Sequence, residues 1–161
     1  MIENIDEIAH VLGEGFLYDG VYDILVDSPY AKQLPPAHRD EYLTGAIDVM
    51  DKCINCFNYF RATEKGQRYT LSDPLDSLRI YTRVLKSLRN VLKEKVYKPM
   101  SVQEAEKFVL DKFNRYKEIL TCIKDGKEVS NEEKQEIIDL FQEMRKDTLS
   151  ETAHLLQVGY I

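Results

Sequence analysis

The sequence predicts an all-α fold: an antiparallel bundle of four long helices with two short N-terminal helices packed on it. Three observations carry this. Apolar residues recur at helical spacing in almost every long segment. Two capping boxes, Ser101–Glu104 and Ser130–Glu133, open helices in the C-terminal half. No long run alternates apolar and polar residues as a half-buried strand would.

Taken in order, residues 2–12 place Ile2, Ile5, Ile8, Ala9 and Leu12 on one helical face, and Gly13 and Gly15 are expected to break that helix. Residues 16–26 form a second short apolar element, helical by periodicity although its length also suits a strand. Residues 28–38 contain Pro29, Pro35 and Pro36 and are expected to be a loop. Residues 39–62 carry Leu43, Ile47, Met50, Ile54 and Phe57 on one helical face, and a connector with Gly66 follows.

Asp73 and Pro74 open the next helix as N-cap and first residue, with Asp76 in the first turn. This helix is expected to run to Pro99, with Lys95 and Lys98 suiting the negative end of its dipole. The first capping box opens a helix through Phe108, Phe113, Tyr116, Leu120 and Ile123 to Gly126. The second opens one through Ile137, Leu140, Phe141, Met144 and Thr148 toward Gly159, with a dip in helix propensity near Thr148-Leu149-Ser150 that invites a kink. The whole chain, 1–161, is expected to be one domain. Residues 1–38 make an acidic segment with a Pro-rich loop, and residues 39–161 make the bundle.

Composition bounds the function. At 43% hydrophobic and 31% charged residues the chain suits a globular protein with a core, and no apolar run approaches the roughly 18 residues of a membrane span. The N-terminus shows no basic region followed by an apolar stretch. With the odd count of cysteines (Cys53, Cys56, Cys122), this points to reduced thiols and a cytoplasmic setting.

Charge is segregated. Residues 1–51 hold eleven acids against Lys32 and Arg39, a net of −9. Residues 79–98 hold seven bases against Glu94, a net of +6 in a chain whose total is −6. On a helical wheel Arg79, Arg83, Lys86, Arg89 and Lys93 share one arc, opposite Ile80, Val84, Leu88, Val91 and Leu92. This stripe is the leading candidate for a partner-binding surface. Tyr30 and Tyr42, beside the proline segment, are second, because tyrosines near a loop suit an interface. The −9 segment is the natural internal partner for the stripe, and a stripe so covered would not be a docking site.

No catalytic constellation emerges. Two Glu-x-x-His pairs, Glu7–His10 and Glu151–His154, have the spacing used in dimetal bundles, but they lie off or at the edge of the apolar faces. Cys53-x-x-Cys56 sits mid-helix with no second paired motif, which suits core thiols better than zinc or redox work. No metal, cofactor or catalytic residue is therefore expected. Gly13-Glu-Gly15 is too short for a nucleotide loop.

The expected function is a non-enzymatic protein-interaction module: an adaptor, an assembly subunit or an inhibitor of a larger complex, including one carried by a virus or mobile element. It would dock through charged and aromatic helix faces onto an acidic protein surface or a second copy of itself, and not onto a membrane. The alternatives are a nucleic-acid-associated module using the basic stripe, against which the acidic total argues, and a metal-dependent helical-bundle enzyme.

Overall fold

The periodic segments resolve into six helices in the computed structural model, which describes the backbone of residues 2–93 and 99–159 and the side chains of residues 9–93 and 99–157. They are α1 (Ile2–Leu25), α2 (Pro29–Lys32), α3 (Pro36–Glu64), α4 (Pro74–Leu92), α5 (Val102–Lys124) and α6 (Asn131–Gly159). No strand occurs among the described residues. The molecule is an all-α helical bundle.

The N-terminal region departs from expectation. Gly13 and Gly15 do not break the chain, and α1 runs unbroken for 24 residues. A glycine costs a helix interior about 1 kcal/mol. Burying Val11, Tyr18, Val21 and Leu25 along one stripe outweighs that at about 1.5–3 kcal/mol for a large apolar side chain. Two glycines also serve close packing. A Cβ on Gly20 would lie 2.4 Å from Cε1 of Tyr42, and one on Gly45 would lie 2.8 Å from a methyl of Leu17. These glycines let α1 and α3 approach more closely than side chains would permit.

The prolines initiate helices here. Pro29 opens the single turn of α2, where the Ala31 N–H donates to Ser28 Oγ at 3.1 Å. Pro36 opens α3, three residues before Arg39. A proline at the first helical position loses no hydrogen bond, because that N–H has no intrahelical acceptor.

Asp73 precedes α4 with a left-handed backbone (φ 48°), and its side chain makes no capping bond. The residue before a proline is disfavoured in the right-handed helical region, and aspartate tolerates the left-handed one better than most residues. The side chain that closes this end is Ser77, whose hydroxyl donates to the Ser72 carbonyl at 3.1 Å. Helix α4 ends at Leu92, well before Pro99. Lys95 and Lys98 lie outside the described residues.

Both Ser caps form as expected, with the Glu104 N–H donating to Ser101 Oγ at 3.1 Å and the Glu133 N–H to Ser130 Oγ at 3.3 Å. Helix α6 passes through 148–150 without interruption. There the Thr148 hydroxyl is satisfied inside the helix by the Arg145 carbonyl at 2.8 Å.

Helix α1 is a full member of the bundle. It packs most extensively on α6, α6 packs on α4, α4 on α3, and α3 on α1, so four helices close a ring. Helix α5 lies chiefly against α3. The core runs through Tyr18, Leu43, Met50, Val84, Phe113, Tyr116, Leu120, Phe141 and Met144. Tyr18 meets Phe141 edge-on, as Tyr81 meets Phe113.

Candidate functional site: a buried charge network and an exposed apolar groove

The ring places α4 between α3 and α6, with α1 leaning on α6. The polar arc of α4 therefore faces protein for much of its length. Arg83 is 5% exposed. Its Nε donates to Glu14 of α1 at 2.8 Å, its Nη1 to Asp147 of α6 at 2.5 Å, and its Nη2 to Glu151 of α6. Arg79 pairs with Glu14 and, at 2.9 Å, with Asp76. Asp76 also accepts from Lys52 of α3 at 2.7 Å, and Lys86 reaches Asp147 at 2.8 Å. Four cations and four carboxylates thus form one connected network across α1, α3, α4 and α6, with no net charge.

Burial and pairing oppose each other here. Burial raises the Glu14 carboxyl above its ordinary value and prevails over Arg83 and Arg79, which lower it. Burial acts to lower Arg83, yet its hydrogen bond to Glu151 and the charges of Glu14, Glu151 and Asp147 hold its pKa up. Burial would raise Asp76, but the hydrogen bonds from Lys52 and Arg79 leave it lowered.

The stripe is divided by this arrangement. Arg83 is interior, Arg79 is half-buried and spent on Glu14 and Asp76, and Lys86 is exposed but paired. Arg89 and Lys93 are exposed and have no ion pair among the described residues. With Leu85, Lys86 and Asn90 they line an open hollow. The acidic N-terminal segment supplies one partner, Glu14, while α6 supplies two.

Tyr30 is exposed on α2. Tyr42 is half-buried, with its ring against Gly20, so its position serves packing of α3 on α1.

The thiols of Cys53 and Cys56 are buried and free, and burial raises the pKa of both, which opposes formation of a nucleophilic thiolate. Cys122 is half-buried. Glu151 of the second Glu-x-x-His pair is engaged by Arg83, and His154 and His10 are exposed. The side chain of Glu7 lies outside the described residues. No group of three His, Cys, Asp or Glu among the described residues is placed to hold a metal ion. No helix among them is long and apolar enough to cross a membrane.

A second feature escaped the sequence. Between α1 and α6, Val11, Leu12, Phe16 and Leu149 line a groove of about 160 Å³, and the Asp19–Arg145 ion pair (3.0 Å) forms part of its wall. Phe16 is 70% exposed and Leu149 63%. Arg145 is further held over the Tyr22 ring, 4.3 Å from its centroid. The groove follows from packing at Gly15, where a Cβ would lie 3.4 Å from Thr148 Oγ1. The sequence signal was there: Leu12 and Phe16 are four residues apart, one turn along the outer side of α1. The chain matches no protein-family model, and comparison with curated proteins and with solved structures finds no match.

Proposed function

We propose that the chain is a protein-interaction module that works by docking and without catalysis, and that its docking face is the α1–α6 groove. The observation that carries this is the juxtaposition of Phe16 and Leu149, two large apolar side chains held mostly in solvent on facing helices beside an apolar hollow. Exposed apolar surface gathered around a concavity, with a polar pair at its edge, is the arrangement that helix-in-groove recognition uses. The hollow accommodates a large apolar side chain, and Phe16 supplies an aromatic anchor.

The charge of α1 selects the partner. Besides Glu14 and Asp19, which are paired internally, its sequence carries Glu3, Asp6, Glu7 and Asp23 and no Lys or Arg. The partner is therefore an amphipathic helix whose apolar stripe is flanked by Lys or Arg. The basic stripe of α4 is a weaker docking surface than its composition suggests, because Arg79 and Arg83 are already committed inside the protein.

The test is fluorescence anisotropy with three synthetic helical peptides: a Leu/Lys amphipathic sequence, its Leu/Glu counterpart and a scrambled Leu/Lys sequence. The ordered Leu/Lys peptide should bind, and Phe16→Ala or Leu149→Ala should each weaken it by about tenfold, or ~1.4 kcal/mol. Both residues are exposed, so circular dichroism should show the fold unchanged. Equal binding of the Leu/Glu or scrambled peptide, or indifference to both substitutions, would refute the proposal. So would sedimentation showing a self-associated protein that Phe16→Ala makes monomeric, because the groove would then hold a second copy.

A further inference from the structure

A cavity of about 330 Å³ lies at one end of the bundle, away from the groove, where the end of α1, the first turns of α3 and α6 and the α5–α6 turn converge. Its lining includes Arg39, Lys127 and Lys134, together with Asp27 and Glu128. Among the described residues, none of these three cations has a carboxylate within ion-pair distance or donates a side-chain hydrogen bond. Arg39 and Lys134 are half-buried. Elsewhere among the described residues the half-buried cations Lys52, Arg61, Arg79, Lys112, Lys117 and Arg145 are all paired.

The ordinary reason for cations at this place would be to serve the carbonyls at the C-terminal ends of α1 and α5. The chain itself satisfies three of the last four carbonyls of each helix. Val26, Asp27 and Ser28 donate backbone N–H bonds to Tyr22, Ile24 and Asp23, and Asp125, Gly126 and Lys127 donate to Thr121, Ile123 and Cys122. The guanidinium fork of Arg39 and the ammonium groups of Lys127 and Lys134 keep their side-chain donors unspent around one concavity.

We propose that this cavity is a binding site for a phosphate-type oxyanion, held by Arg39 and Lys134 with Lys127 at the mouth. A planar guanidinium presents paired donors to a tetrahedral oxyanion, and two ammonium groups complete the charge. Asp27 and Glu128 leave the lining at only +1, so the site favours a ligand with concentrated negative charge over a diffuse polyanion. The volume exceeds what an inorganic ion alone fills, which suits a phosphate ester carrying a small organic group.

Isothermal titration calorimetry tests this with inorganic phosphate, pyrophosphate, glycerol phosphate and citrate, at matched ionic strength. The probes run against wild type, Arg39→Gln, Lys134→Gln and, as a charge-matched control remote from the cavity, Lys65→Gln. At least one phosphate probe should bind with a Kd in the millimolar range or tighter, and Arg39→Gln and Lys134→Gln should each weaken it by about tenfold. Lys65→Gln should bind as wild type does. Inorganic phosphate binding as tightly as glycerol phosphate would assign the site to the free ion, and tighter glycerol phosphate would assign it to an ester; either supports the site. The proposal is overturned by no binding of any phosphate probe, by equal loss in Lys65→Gln, or by citrate binding as tightly as the best phosphate probe. Circular dichroism of the two cavity variants separates lost binding from lost fold, and a variant that unfolds is replaced by Arg39→Lys or Lys134→Met.

Discussion

Replacing Arg83 with alanine should cost far more than its place on a charged helix face suggests. The side chain is 5% exposed, and its most buried partner, Glu14, is 7% exposed. The substitution leaves Glu14 buried with Arg79 alone and strips Asp147 and Glu151 of a shared donor. Removing one partner of a buried pair typically costs about 3–5 kcal/mol, because the remaining charge stays desolvated. For a chain of this length that is a fall in Tm of about 6–20 °C. Lys86→Ala removes an exposed amine from the same helix face and should cost about 0–1 kcal/mol.

The assay is urea unfolding followed by far-ultraviolet circular dichroism, with midpoints compared at equal m values. The Arg83→Ala penalty should also shrink toward acid. Burial already raises the Glu14 carboxyl above 4.5, and losing Arg83 removes an opposing charge. A raised carboxyl makes the folded state bind the extra proton, so stability falls as pH rises above about 4.5 and recovers as pH falls. A penalty no larger than that of Lys86→Ala, or one that grows toward acid, would refute the reasoning. The double substitution Arg83→Met/Glu14→Leu should recover most of the loss, because well-packed apolar residues replace a buried pair at little cost.

The other predictions concern pH and backbone packing. Asp76 is lowered and Glu14 raised, so their conservative variants should diverge: the advantage of wild type over Asp76→Asn should disappear as pH falls through and below 3.8, whereas wild type should lose ground to Glu14→Gln as pH rises above 4.5. Parallel profiles of thermal midpoint against pH for the two variants would contradict both directions. Gly13→Ala, with open space around the new methyl, should stabilise α1 by about 0.5–1 kcal/mol. Gly20→Ala, which drives a methyl into the Tyr42 ring, should cost about 1–3 kcal/mol, and less in a Tyr42→Ala background. Equal effects at the two glycines would show that the Gly20–Tyr42 approach is not constrained.

The all-α class and the later helix starts were legible because they depend on local signals. Ser101 and Ser130 cap within their own first turns, and the apolar period of α5 and α6 persists through several turns. The N-terminus was not legible, because its glycines have a non-local purpose. Gly15 looks like a helix breaker until Thr148 is known to lie against it, and the sequence does not show that Gly20 meets the Tyr42 ring. Pro29 and Pro36, read as loop residues, begin helices instead, since one residue type both stops a helix and begins the next. The groove was hidden because it needs the relative placement of Phe16 and Leu149, which are far apart in sequence.

The charge pattern shows where a helical wheel stops being informative. A wheel separates apolar from polar arcs, but it does not say whether the polar arc faces water. Arg83 lies about 40° from Ser87, a small residue buried on the side of α4 next to the basic arc. A serine there leaves room for a neighbour to approach, and an arginine beside it is drawn inside. The complementary signal sits in the partners. Val11, Glu14, Tyr18, Val21 and Leu25 follow one alternating three–four spacing in α1, so Glu14 occupies a core position. In α6 the same spacing runs through Ile137, Phe141, Met144 and Thr148 and arrives at Glu151. An acid standing in an apolar stripe needs a buried cation, and two such acids in helices that flank one arginine specify the contact. Segregated charge along this chain therefore encodes helix register first, with Glu14 and Glu151 fixing α1 and α6 against Arg83. Only Arg89 and Lys93, beyond the reach of those acids, keep the field that the stripe as a whole seemed to offer.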